Sequence, residues 1–168
     1  MRRKIAMSAA LSLVLAVGVA MAAAKTDLTG TWVMDPSKSE GLPPGMDQVM
    51  KIVLSEDKIS IETKVITDQG EQVVSDSYVL NGKEVDYKPS FGPPEMEKKG
   101  KRTAKWTADG SGIEVSEVAT LETPDGPVVM NMKRKWAISA DGKTIVIDLD
   151  LDGPNGQVHT KRTFTKKA

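Results

Sequence analysis

The chain reads as an all-β protein, an antiparallel up-and-down meander of about ten strands, and three observations predict this. Short runs rich in Val, Ile, Thr and aromatic residues recur along it, broken by turn signals about every 10–15 residues. Many of the breaks are Asn-Gly or Asp-Gly pairs, which supply the positive φ angles that tight hairpins require. No segment sustains a helical period. A sheet of so many strands must close or fold over to dispose of its edges, and a barrel is the simplest way.

Taken in order, the first run is Gly30–Met34, ended by Asp35-Pro36. An irregular stretch from Asp35 to Asp47 follows, where Pro36, Pro43 and Pro44 discourage regular structure. Gln48–Ser55 and Lys58–Thr67 flank a turn at Glu56-Asp57. Gln72–Leu80 follows Asp68-Gln69-Gly70, and Glu84–Tyr87 follows Asn81-Gly82. A second irregular stretch, Lys88 to Lys101, carries Pro89, Pro93 and Pro94 and ends in a lysine-rich run. Long loops of this kind in a compact domain serve as lids or rims. Arg102–Thr107, Ile113–Thr123, Val128–Ser139, Thr144–Leu151 and Gln157–Lys166 complete the series. Asp109-Gly110, Pro124-Asp125-Gly126, Asp141-Gly142 and Asp152-Gly153 separate them.

Alternation assigns the inner face, because successive strand side chains point to opposite sides. Ile145, Ile147, Leu149 and Leu151 share one face, and so do Ile59, Ile61 and Val65. On Val128–Ser139, Met130, Met132, Arg134, Trp136 and Ile138 share a face. An arginine on an otherwise apolar face breaks the local rule, as functional sites tend to do.

The N-terminus predicts export. Arg2, Arg3 and Lys4 precede an apolar stretch from Ile5 to Ala20, then two Ala-x-Ala sites, Ala20-Met21-Ala22 and Ala22-Ala23-Ala24. Residues 1–24 are therefore expected to be a cleaved signal peptide, residues 25–168 one domain, and the mature protein periplasmic or secreted. The full chain balances 23 basic against 23 acidic residues, and removing the three cations of the signal leaves an excess of acid. That balance, with the expected export, argues against nucleic acid as a partner. The chain has no Cys, so disulfides, thiolate chemistry and lipid attachment at a cysteine are excluded.

The motif Leu28-Thr29-Gly30-Thr31-Trp32-Val33-Met34, followed by Asp35-Pro36-Ser37-Lys38-Ser39, resembles the opening of bacterial exported lipocalin-like proteins. Lipocalins and fatty-acid-binding proteins share its Gly-x-Trp. Thr160-Lys161-Arg162-Thr163-Phe164-Thr165-Lys166 is similar to the last strand of the fatty-acid-binding group, with Phe164 in place of a Tyr. The resemblance implies a lipocalin-like barrel of eight to ten strands enclosing a cavity, without the paired helices of the fatty-acid-binding group, for which Asp35–Asp47 is too short. It also implies that Trp32 plugs one end of the barrel, with Gly30 beside it. Arg162 then has two candidate jobs, stacking on Trp32 or facing the cavity. Stacking is favoured because cation–π packing is common.

The candidate ligand-binding residues are Arg134, Met130, Met132, Trp136, Arg162 and Phe164. Arg134 would hold an anionic head group bidentately, with the methionines as adaptable apolar lining. The competing reading leaves this face outward or covered by a loop. Asp148, Asp150, Asp152 and Gly153 open like a calcium loop, but His159 stands where the bidentate Glu belongs. Two solvent-facing aspartates and a turn are the simpler account, so no metal is expected. His159, the single histidine, is expected at the surface. Lys98, Lys99, Lys101 and Arg102 form a basic run that is ordinarily solvated surface and that would otherwise steer an anion or touch a membrane.

No nucleophile or acid–base pair stands out, so no enzyme and no cofactor are expected. The expectation is an exported monomer that holds a small hydrophobic or amphipathic ligand, anionic and lipid-like in one version. The alternative is a filled barrel acting through its surface as a cell-envelope module. Membrane contact is not implied.

Overall fold

The computed structural model describes residues 25–93 and 95–167. The expected signal peptide, residues 1–24, lies outside the described residues. Ten strands form one antiparallel sheet: β1 (Gly30–Met34), β2 (Asp47–Ser55), β3 (Lys58–Thr67), β4 (Gly70–Val79), β5 (Val85–Tyr87), β6 (Lys98–Trp106), β7 (Gly112–Thr123), β8 (Gly126–Ile138), β9 (Thr144–Gly153) and β10 (Gly156–Lys166). Their spatial order is β4-β3-β2-β1-β10-β9-β8-β7-β6-β5. Each strand therefore lies beside its sequence neighbour except at β4/β5, and β1 closes onto β10. The result is an up-and-down barrel curled around its apolar face, with one unpaired seam between β4 and β5.

Tight loops set the register. Ser55 pairs with Lys58, Thr67 with Gly70, and Thr123 with Gly126, each leaving a two-residue turn. At Asp109-Gly110 the carboxylate accepts from Thr107 Oγ1 at 2.6 Å and Ser111 Oγ at 2.7 Å, which fixes the loop side-on. Two sequence expectations shift. Asp152-Gly153 is still strand, and the turn falls at Pro154-Asn155, because Gly153 pairs with Gly156. Lys98–Lys101 belong to β6 rather than to a loop, because β7 offers a ladder running from Leu121 to Ile113. The second irregular segment is shorter than its composition suggests.

The interior has two apolar ends. At one, Trp32, Phe164, Leu28, Ile52, Ile59, Ile113 and Ile145 are fully buried. Trp32 donates its indole N–H to Leu28 O at 2.9 Å, which satisfies its polar end. At the other end Ala119, Leu121 and Met132 are buried, with Phe91, Met96, Met130, Leu149 and Leu151 packed on them. Met130, Met132, Arg134, Trp136 and Ile138 do share the inner face, so the outward-face reading of β8 is overturned.

The Asp35-Pro36-Ser37-Lys38-Ser39 motif has a visible job. Asp35 accepts from Ser37 N and Oγ, starting a 3-10 turn at Pro36–Lys38. That turn docks on β10: Asp35 N donates to Thr163 O at 2.8 Å, Thr163 Oγ1 to Lys38 O at 3.0 Å, and Thr163 N to Ser39 Oγ at 3.1 Å. The clamp covers Thr163 from outside and so fixes the strand that carries Arg162 and Phe164 inward.

Candidate functional site

Between the two apolar ends lies a cavity of about 350 Å³, lined in part by Gln48, Thr63, Val74, Asp76, Arg134, Trp136, Leu149, Arg162 and Phe164. Four of the expected ligand-binding residues meet here: Arg134, Trp136, Arg162 and Phe164. Met130 and Met132 do not; they pack in the second apolar cluster beyond it.

The expected stacking of Arg162 on Trp32 is overturned. Arg162 faces the cavity, and Lys166 covers Trp32, with its ammonium 5.4 Å from the ring centroid. Strand alternation explains the exchange, since Arg162, Phe164 and Lys166 are two residues apart and Lys166 is the one level with Trp32. Gly30 makes room for it. A Cβ there would lie 2.9 Å from Lys166 Cε, and its φ of +140° is one that favours glycine.

Arg134 is not free to act alone. It pairs with Glu117, whose side chain is 2% exposed. Glu117 Oε1 also accepts from Arg102 Nη2 at 2.5 Å. Arg102, itself 6% exposed, reaches on to Asp76 at 2.5 Å, and Tyr78 donates its hydroxyl to the same Asp76 at 2.9 Å. A continuous chain of charge thus runs Arg134–Glu117–Arg102–Asp76–Tyr78 through the barrel. Burial pushes the Tyr78 hydroxyl up to about 12.

Three guanidiniums, from Arg102, Arg134 and Arg162, face two carboxylates, from Asp76 and Glu117, which leaves one positive charge unmatched. Arg162 carries it. Among the described residues it has no ion-pair partner, and its Nε is buried without a hydrogen-bond acceptor. Burial and the neighbouring charge of Arg134 both hold its pKa below the usual arginine range. Gln48 Oε1 and Trp136 Nε1, on the same cavity wall, are likewise buried and unpartnered. Buried polar atoms in native proteins are normally satisfied, by water where not by protein or ligand, and three such atoms without a protein partner converge on this wall.

The chain Arg102–Glu117–Asp76 was missed from the sequence, although the signal that exposed Arg134 was there. Glu117 interrupts the apolar series Ile113, Val115, Ala119, Leu121, and Asp76 stands between Val74 and Tyr78. The basic run does not survive as a patch. Arg102 points inward, Lys99 pairs with Glu122 and Lys101 with Glu84, and Lys98 caps the carbonyls of Phe91 and Gly92. The aspartates of β9 face outward, with Asp148 between Lys135 and Lys161, and Asp150 between Lys133 and His159. His159 is exposed and lies 2.7 Å from Asp150, whose hydrogen bond raises the imidazole pKa.

A comparison with protein-family models and one with curated proteins each found no match. Among solved structures, zebrafish ileal bile acid-binding protein complexed with cholic acid matches with a TM-score of 0.50 at 19% identity, covering 83% of this chain and 98% of that one. Secretory abundant heat soluble protein 4 from Ramazzottius varieornatus matches with a TM-score of 0.48 at 14% identity, covering 87% and 98%. At such identity the first likeness speaks to architecture alone, and the chain is an all-β, antiparallel up-and-down barrel.

Proposed function

We propose that this protein is an exported carrier that holds one small amphipathic anion inside its barrel, with Arg162 as the anchor for the charged end. The observation that carries this is the unmatched guanidinium of Arg162 on the wall of a partly open, largely apolar cavity. An uncompensated buried charge is costly, and an anion from outside offsets that cost through charge-assisted hydrogen bonds. Arg134 lends a second positive field, Gln48 and Trp136 offer polar contacts, and Phe164 and Leu149 take the apolar body. The cavity volume falls within the range of ligand sites and favours a compact ligand. Cholic acid in the zebrafish protein, an amphipathic carboxylate, is a ligand of the same chemical kind.

Binding without chemistry is the reading we favour, because both interior carboxylates are engaged by guanidiniums and neither is available as a base. The interior space also supports a carrier over a filled barrel. Export rests on the Arg2-Arg3-Lys4 start and the apolar stretch after it.

The test is Arg162→Leu with anilinonaphthalene sulfonate, an amphipathic anionic fluorophore, as probe. Affinity should fall roughly ten- to a hundredfold, the value of charge-assisted bonds. The ligand-free protein should at the same time melt at a slightly higher temperature, because a partly buried charge without a partner is gone. Unchanged affinity would remove Arg162 from the site.

A further inference from the structure

Every neighbouring pair of strands is joined by a ladder except β4 and β5. One end of that seam is stitched by backbone. Asn81, just after β4, bridges Lys105 of β6, and Gly82 N donates to Ala104 O at 2.8 Å. Further along, a side chain spans the gap instead. Arg102, from β6, reaches Asp76 of β4 at 2.5 Å and Ser77 O at 2.9 Å. Its guanidinium lies 3.8 Å from the ring centroid of Tyr87 on β5 and 4.6 Å from that of Tyr78.

Outside the seam is a groove of about 810 Å³, larger than the interior cavity. The groove and the cavity share Ile61 and Asp76 as walls, so a single layer of side chains separates them. The opposite end has its own cover. Phe91 and Met96 pack into the second apolar cluster, and Lys98 Nζ holds Phe91 O at 2.9 Å and Gly92 O at 3.2 Å.

We propose that the β4/β5 seam is the passage by which ligand enters and leaves, with Arg102 as its latch; this rests on the interior being the ligand site. The groove carries exposed Val53 and Val79, with Val85 and Tyr87, so the apolar part of a ligand leaves water there first. Its anionic end then replaces Asp76 on Arg102, one charge-assisted partner for another. Glu117 holds Arg102 from within throughout, so the latch swings without losing its last counter-charge. From there the anion passes to Arg134 and Arg162.

Stopped-flow binding of anilinonaphthalene sulfonate tests this. Tyr87 lines the groove and not the cavity, so Tyr87→Ala removes the latch support without touching bound ligand. Association and dissociation should both speed up about tenfold, with the equilibrium constant within about twofold, since a passage changes rates together whereas a contact mainly changes dissociation. Val85→Trp fills the groove from outside and should slow both rates, which keeps the test open if Tyr87→Ala does not fold. Lys98→Met, which frees the opposite segment, should leave both rates unchanged. Faster exchange in Lys98→Met with no change in the groove variants would overturn the seam. Absence of saturable binding in the unmodified protein would instead sink the reading of the interior itself.

Discussion

Glu117 is surrounded by guanidiniums, Arg102 on one side and Arg134 on the other, and almost no water reaches it. Removing one member of a buried charged cluster leaves the others uncompensated, and the loss exceeds what the pair contributes in isolation. Glu117→Gln should therefore lower unfolding free energy by about 3–5 kcal/mol in urea titration. A loss below about 1 kcal/mol, the range of surface pairs, would show that the network is not desolvated as described. The residues of this network were each legible as departures from alternation: a charge where Ile, Val or Leu was due. Their pairing was not, because nothing in the sequence says which arginine meets which carboxylate. Arg162 shows the limit well. It lies next to the clamped Thr163 and four residues before the Trp-covering Lys166, and its direction follows only from the β1/β10 register.

At the scale of the elements, β5 and β6 depend on a glycine. Tyr87 pairs with Gly100 across the ladder, and a Cβ at Gly100 would lie 2.4 Å from the Tyr87 ring. The ring occupies that space and lies against Arg102, so the missing side chain lets the latch assemble. Gly100→Ala should cost roughly 1–3 kcal/mol as an overpacked site, seen as a lower melting temperature and a changed near-ultraviolet signal from Tyr87. A neutral outcome would mean the ring has room to move. Strand bounds elsewhere followed from period-two alternation and Gly-containing turns. The start of β6 did not, since Lys98-Lys99-Gly100-Lys101 has little intrinsic strand preference and is held by its partner β7. That strand splits the lysines between faces, which is why the basic run makes no patch.

For the whole molecule, two apolar ends enclose a charged middle layer, and that layer ties stability to pH. Burial lifts the Tyr78 hydroxyl from 10.0 to about 12, and partial burial raises Tyr87 as well. A folded value above the unfolded one means that proton release favours unfolding. The contribution is fully present below about pH 10 and is lost as pH rises through about 12. Stability should fall in that window by at most roughly 3 kcal/mol from Tyr78. Tyr78→Phe should flatten the fall, as followed by denaturant midpoints against pH. Parallel curves for the two proteins would contradict the buried phenol.

The sequence alone determined the all-β meander, nearly every hairpin and which residues of β8 share a face, though not that this face points inward, because alternation and turn chemistry are local properties that each segment carries with it. Tertiary structure decided what that inner face does. It brought Asp76, Arg102, Glu117 and Arg134 from four strands into one chain of charge and left Arg162 without a partner. It also put the break in the barrel between β4 and β5. Those outcomes depend on register and closure, which set distances between residues far apart in the chain, and a linear pattern of polarity holds no information on distance.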